Sequence, residues 1–411
     1  MANSSDWPPN SLESASLDLL QGRLAHVQLR RPWSRWLSPL LARFLRIRRD
    51  GPVLCLQPVG TALTATVNEH DQGSFLRAVA GGSVSLTQSY ARAEWESPDL
   101  YQLSMVLFRA EQMANLWRLG ALPVEALRAQ RRIRRLPQDY GNVAQHYDLP
   151  RVLFEATLKG EPYSAVFARL NPRSLEVARS RTYRSLLDSV ALERTATLLD
   201  LGAGWGALAR YVLTETDSRV HAITMSEVQA GLLNEQLGES YPTRLKVVQG
   251  DFRDARNWPA ATGAIFMLES IEHVHPSDRA RLMRDLAAHF PQAPLVIQFS
   301  GRSAQRFAFR AGRSGATADL IFPGPAELPT VRQVHRLVQS AGYRVHEMYD
   351  LTAEYHQIVL TWLHNFRTAA PEVQAQVPVQ VVRAWEMYLA GLAAALAWRT
   401  VINHCCVCLR G

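Results

Sequence analysis

The chain has 411 residues, 47% hydrophobic and 20% charged, which is enough apolar material for a large core and for two or three domains. Its formal net charge of +8 favours anionic partners, either nucleic acid or an anionic membrane surface. No run approaches the ~20 apolar residues of a membrane span, and no N-terminal stretch has the layout of a secretory signal, so a cytoplasmic protein is expected.

Residues 1–29 are expected to be a disordered N-terminus, polar and proline-containing at the start. From Arg30 to Arg49, arginines alternate with Trp33, Trp36, Leu37, Leu40, Leu41, Phe44 and Ile47 at largely helical spacing, and Pro39 can kink or restart the helix. A basic amphipathic helix of this kind can lie in a membrane interface or dock on its own domain. RNA binding is disfavoured, because no nucleic-acid module accompanies the charge. Strand-like Val53–Leu56 and Ala62–Val67 precede a helical stretch at Leu100–Ala114, so residues 30–135 read as a small N-terminal α+β domain. Five arginines between Arg128 and Arg135 read as a solvated basic helix or linker into the second domain.

Residues 136–411 form the second domain. A helix over Ser174–Val190 delivers the chain to Leu198-Leu199-Asp200-Leu201-Gly202-Ala203-Gly204-Trp205-Gly206, an apolar strand running into a glycine-rich turn, and Ala207–Leu213 continues as a helix. Glycines allow close backbone approach, and the helix N-terminus offers unpaired N–H groups at the same place. The Gly-x-Gly-x-Gly spacing favours a mononucleoside ligand such as S-adenosylmethionine over a dinucleotide. Further strands are expected at Val220–Thr224, Leu245–Val248 and Ala264–Leu268. Their ends carry Thr224, Ser226 (an N-cap) and Gln229, then Asp251 and Phe252, then Glu269 and Glu272. Asp251 can accept from an adenine amino group and Phe252 can stack on its ring.

Four cysteines, Cys55 and the cluster Cys405, Cys406 and Cys408, lack paired metal-ligand spacing and read as ordinary thiols, the cluster near a frayed terminus. Trp362, Phe366, Trp385 and Tyr388 read as packing residues of C-terminal helices. Met387–Trp398 is apolar but closely bracketed by Arg383, Glu386 and Arg399, which suits packing over the sheet or a dimer interface better than a membrane span.

Several motifs in order resemble the cyclopropane-fatty-acid synthase family, which includes the mycolic acid cyclopropane synthases. They are His146-Tyr147-Asp148-Leu149, Tyr163-Ser164, the glycine-rich turn, Thr224–Gln229, Asp251–Asp254 and Glu272-His273-Val274, followed by Ile321–Gly324, Leu328–Thr330, Glu354-Tyr355 and Thr361-Trp362. The resemblance implies an α/β fold: a Rossmann-like class I methyltransferase domain with the smaller N-terminal α+β domain and a helical cap. It also implies S-adenosylmethionine as cofactor, lined by Tyr163, Ser164, Gly202, Gly204, Thr224, Ser226, Gln229, Asp251 and Phe252. The partners it implies are unsaturated phospholipid acyl chains at an anionic membrane surface, and a homodimer is expected. No metal and no nucleic acid are expected.

In the family a bicarbonate ion takes up the proton released after methyl transfer, and the matching positions here are Ala165, Glu272, Gln298, Ser300 and Tyr355. Glu272, Tyr355 and Gln298 are therefore the candidate catalytic residues. Ala165 and Gln298 stand where the family has Cys and His; Ala165 offers no hydrogen bond, and Gln298 cannot take up a proton near neutral pH. These departures argue against bicarbonate and ring closure, and in favour of a methyl-branched or methylene chain. A true cyclopropane synthase, a small-metabolite methyltransferase and a non-catalytic lipid-binding partner protein are the alternatives.

Overall fold

A computed structural model describes residues 44–117, 149–159, 175–303 and 327–411, together with Ile321 and six residues between 17 and 24. Strands β1 (Leu45–Asp50), β2 (Val53–Pro58), β3 (Ala65–Glu69) and β4 (Trp95–Glu96) form an antiparallel sheet in that order. Against it pack α1 (Ser74–Gly81), α2 (Ser83–Ala91) and α3 (Leu100–Trp117). The basic amphipathic helix expected over Arg30–Arg49 is corrected where the structure describes it: Leu45–Asp50 is an edge strand. The physical reason is the turn that follows. Asp50 pairs with Val53 across a two-residue Gly51-Pro52 loop with Gly51 at φ 56°, which closes a hairpin that a helix could not enter. Only Leu45 of β1 is buried, and the exposed arginines suit an unpaired sheet edge. Residues 30–43 and 128–135 lie outside the described residues.

The second sheet has seven strands. After α4 (Arg151–Leu158) and α5 (Leu175–Ser189) come β5 (Thr197–Leu201), α6 (Ala207–Glu215), β6 (Arg219–Thr224), α7 (Glu227–Leu233), β7 (Leu245–Gln249) and β8 (Ala264–Leu268). Then follow α8 (Pro276–His289), β9 (Leu295–Arg302), α9 (Val331–Ser340), β10 (Tyr343–Asp350), α10 (Thr352–Gln374), α11 (Val379–Ala397) and β11 (Val401–Arg410). The order is β10-β11-β9-β8-β5-β6-β7, parallel from β9 to β7, with β11 antiparallel to both of its neighbours. Chain order reverses between β5 and β8, and an open α/β sheet of this kind binds ligands beyond the strand ends at such a point.

The strands alternate between two cores. Leu198, Ala222, Phe266, Val296 and Cys405 face one core, while Leu199, Ile223, Ile265, Ile297 and Cys406 face the other. Both sheet faces are thus covered, as parallel sheets require. The thiols expected near a frayed terminus are instead buried inside β11, an inner strand paired on both sides. Burial pushes the Cys406 thiol up to about 12, so it stays protonated.

Helices α10 and α11 form a layer packed on each other, on α4 and on α2 and α3 of the N-terminal unit. Arg383 of α11 locks that contact: its Nε donates to the Tyr90 carbonyl at 2.6 Å, and its guanidinium lies 4.1 Å over the Tyr90 ring. Trp362, Phe366 and Trp385 are fully buried packing residues, as expected. Among the described residues no helix is long and apolar enough to cross a membrane.

Candidate active site

The turn after β5 is shaped by its glycines. Gly202 has φ 92°, and a Cβ there would sit 2.7 Å from Cβ of Ser270, which lies just beyond β8. Gly206, at φ 78°, closes on Leu233 of α7, where a Cβ would meet a methyl carbon at 2.1 Å. Gly204 is different: an added Cβ would meet nothing nearer than the Gly202 carbonyl at 4.0 Å, so this glycine fronts open space. The backbone N–H groups of Gly202 and Ala203 both donate to the Ile223 carbonyl at 3.0 Å, which fixes the turn to β6. Helix α6 starts at Gly206 with no side-chain cap, leaving its first N–H groups for a ligand.

Beyond β6 the polar residues are fully buried and interlocked. Thr224 Oγ1 donates to Gln229 Oε1 at 2.7 Å, and Ser226 caps α7 by accepting from the Gln229 backbone N–H at 3.2 Å. Beyond β7, Asp251 is held by Arg253, whose backbone N–H and Nε both reach Oδ1, at 2.9 and 2.8 Å. Its carboxylate is therefore already charge-paired, a feature invisible in the sequence. Phe252 is buried in the core, and its carbonyl accepts from Trp258 Nε1 at 2.8 Å. Tyr163, Ser164 and Ala165 lie outside the described residues.

At the end of β8 the structure assembles an acid pair. Glu269 Oε2 accepts from Ser300 Oγ at 2.7 Å and Oε1 from Asn403 Nδ2 at 2.5 Å. Glu272 Oε1 accepts from the Ser300 backbone N–H at 3.0 Å, so both acids converge on Ser300 and each lies in the field of the other. Glu272 Oε2 is buried without a hydrogen-bond partner, an environment that favours the protonated acid. Burial raises the pKa of Glu269; burial and then the charge of Glu269 raise that of Glu272 well above the carboxylate range. Among the described residues no ion pair reaches either acid. Nearby Arg279 bonds the carbonyls of Val274 and Glu272 instead, and His273, pushed down to about 4 by burial and by Arg279, is neutral.

Gln298 is buried on β9 and donates through Nε2 to Asn403 Oδ1 at 3.2 Å, which orients the Asn403 amide toward Glu269. Asn403 is pinned by its backbone, accepting from the Leu351 N–H at 2.8 Å and donating to Thr352 Oγ1 at 3.1 Å at the start of α10. Tyr355 lies one turn further along α10, buried and edge-on to Trp362 at 5.7 Å. Sequence reasoning gave Glu269 no role and missed Asn403, whose one visible signal is an uncharged polar residue inside the apolar run of β11.

An aromatic series runs from the glycine-rich turn to helix α11. Trp205 meets Phe154 at 5.2 Å, Phe154 meets Trp385 at 5.3 Å, and Trp385 meets Tyr388 at 5.8 Å. The Tyr388 phenol is raised far above its ordinary range by burial and by the charge of Glu269. Tyr388 packs against the core, as expected, within the field of Glu269.

A family model described as mycolic acid cyclopropane synthetase matches residues 134–405. A probable fatty acid methyltransferase of Pseudomonas putida is 26% identical over 62% of this chain, and the chain spans 65% of that relative's length. The cyclopropane-fatty-acyl-phospholipid synthase of Escherichia coli K12 is 23% identical over 80% of this chain and 83% of its own. The crystal structure of the mycolic acid cyclopropane synthase CmaA1, complexed with SAH and CTAB, superposes with a TM-score of 0.60 at 20% identity, covering 67% of this chain and 99% of that one.

Proposed function

Because the chain belongs to the mycolic acid cyclopropane synthetase family of S-adenosylmethionine-dependent methyltransferases, we propose that it methylates the double bond of unsaturated fatty acyl chains in membrane phospholipids, giving a methyl-branched or methylene product. The observation that carries this reading is the Glu269–Glu272 pair beside the cofactor turn, where Ser270 between them approaches Gly202 closely. The site fits the cofactor: Gly204 fronts a cradle that side chains would fill, and the uncharged Thr224, Ser226 and Gln229 network matches a neutral ribose. When bound there, S-adenosylmethionine supplies an electrophilic methyl group on a sulfonium centre. Tyr163, Ser164, Asp251 and Phe252 complete the proposed cofactor set.

The protein's own groups supply alignment, charge and proton transfer. An alkene that gains a methyl group is left with a carbocation, and the aromatic series and the acid pair are suited to stabilise it. Loss of a proton from a neighbouring carbon gives a branched alkene; a hydride shift before proton loss from the new methyl gives the methylene chain. Ring closure instead requires removal of a methyl proton without that shift. Gln298, an amide that donates to Asn403, takes up no proton by either route, and the product assignment rests on Ala165 and Gln298 standing where the family has Cys and His. Tyr355 is proposed to orient the acid pair. The net charge of +8 supports docking on the anionic inner face of a membrane as a peripheral homodimer, with residues 1–29, 30–135 and 136–411 as its segments.

The reading is tested by incubating the protein with methyl-labelled S-adenosylmethionine and vesicles of unsaturated phosphatidylglycerol, then identifying the acyl products by mass spectrometry. A labelled branched or methylene chain is the expected result. A labelled cyclopropane chain would overturn the product assignment, and label absent from lipid despite cofactor binding would overturn the substrate assignment.

A further inference from the structure

The two acids of the pair are not equivalent. Glu272 is 5% exposed, whereas Glu269 retains partial exposure. Glu269 also sits at φ 54°, a left-handed conformation that a glutamate adopts only when its surroundings impose it. Three independent contacts impose it here: its backbone N–H donates to the Gln298 carbonyl at 2.8 Å, and Ser300 Oγ and Asn403 Nδ2 clamp its two oxygens. A strained backbone, two dedicated donors and an open side together describe a carboxylate held in place for use.

We infer that Glu269 is a built-in catalytic base, which takes the proton leaving the acyl chain after methyl transfer and makes a diffusible anion unnecessary. This rests on the acyl-methylation reading above. In the step, the alkene π electrons form the new C–C bond while the C–S bonding pair stays with sulfur. A neighbouring C–H bond then breaks, its electrons forming the new C=C bond, and its proton is received by a Glu269 oxygen. Glu272, protonated beforehand, shares its proton with Glu269 while the latter is ionised and is freed of that bond as the proton arrives. Release of one proton to solvent resets the pair.

The test compares wild type, Glu269→Gly and Glu269→Gln in carbonate-free buffer, with and without added bicarbonate, using labelled S-adenosylmethionine and phosphatidylglycerol vesicles. Glycine suits φ 54° and opens a space of carboxylate size, whereas glutamine fills that space without a base. The expected result is wild-type turnover indifferent to bicarbonate. Glu269→Gly should lose about 10²-fold or more and recover at least about tenfold with bicarbonate, and Glu269→Gln should lose as much without recovering. Two readouts besides turnover accompany it: the cofactor dissociation constant, expected within about threefold of wild type in both variants, and the infrared band of the Glu272 carboxyl, expected to shift in Glu269→Gly as the charge of its neighbour is lost while the Asp200 band stays in place. A wild type that requires bicarbonate, or a Glu269→Gly variant that turns over normally without it, overturns the assignment of Glu269. A wild type that labels no lipid under any condition overturns the underlying reading instead, and the two failures are thereby distinguished.

Discussion

Asp200 lies in the middle of the sheet, in β5, with Ala222 and Phe266 paired on either side. It is 2% exposed, its Oδ2 has no hydrogen-bond partner, and burial alone raises its pKa to about 7. An unfolded aspartate titrates near 3.9, so the shift is about 3 units, and at about 1.4 kcal/mol per unit the buried charge costs up to about 4 kcal/mol. The sign follows from proton counting. Between pH ~4 and ~7 the folded chain holds a proton that the unfolded chain has lost, so stability from this group is present at low pH and disappears as pH rises to 7. Asp200→Asn cannot ionise and escapes that loss. Urea unfolding of both proteins at pH 5.5, 6.2, 7 and 8 should show the variant gaining on wild type by about 2 kcal/mol between pH 5.5 and 7, then levelling above pH 8. Glu269 and Glu272 titrate in both proteins and cancel in the difference. A stability difference that stays flat across the series, or that shrinks with rising pH, would refute the argument.

Gly202→Ala should destabilise the fold by about 1–3 kcal/mol in urea unfolding, because φ 92° and the 2.7 Å approach to Ser270 both oppose a methyl group. Calorimetry should show its cofactor affinity falling at least about tenfold as the turn opens, and wild-type affinity would contradict the placement of the cofactor here. Ser226→Ala removes the cap of α7 and should cost about 1 kcal/mol, with weaker cofactor binding because Gln229 loses its anchor. Asn403→Ala removes the amide donor to Glu269 Oε1 and the acceptor of Gln298 Nε2, and should cost about 1–3 kcal/mol. It should also move the pH–rate profile of methyl transfer upward, since a donor that favours the ionised acid is gone; an unchanged profile would remove Asn403 from the site.

The parallel half of the sheet was legible because each strand there is a short apolar run closed by glycine or a polar cap, and local patterning of that kind survives folding. Ser226 as N-cap and the glycine turn follow from the same local chemistry. The other half of the sheet was not legible in this way. β11 is an inner strand although it comes last, so nothing in its neighbourhood marks Cys405, Cys406 and Cys408 as interior; that follows from pairing with β9 and β10, which are distant in sequence. Arg46, Ile47 and Arg48 fit a helical stripe as well as a strand, and the Gly51-Pro52 turn decides for the strand. The acid pair was half visible. Glu272 stood in a motif, but Glu269 acquires meaning only once Ser300 and Asn403 converge on it from two other strands.

That convergence joins features that look unrelated along the chain. A side-chain carboxylate cannot dissociate, so it needs no affinity for a free ion, but it must be aimed, and aiming it here requires the left-handed backbone at Glu269 at a cost of about 1–2 kcal/mol. It also requires a donor on the far side of the carboxyl, which Asn403 provides, and Asn403 is turned the right way because Gln298 donates to its oxygen. A proton-bearing ring at position 298 would compete with that orientation, whereas an amide with fixed donor and acceptor ends enforces it. Gln298 is therefore a positioning residue whose place in the site makes sense only together with Glu269. Its replacement by histidine should disturb Glu269 before it supplies any base of its own.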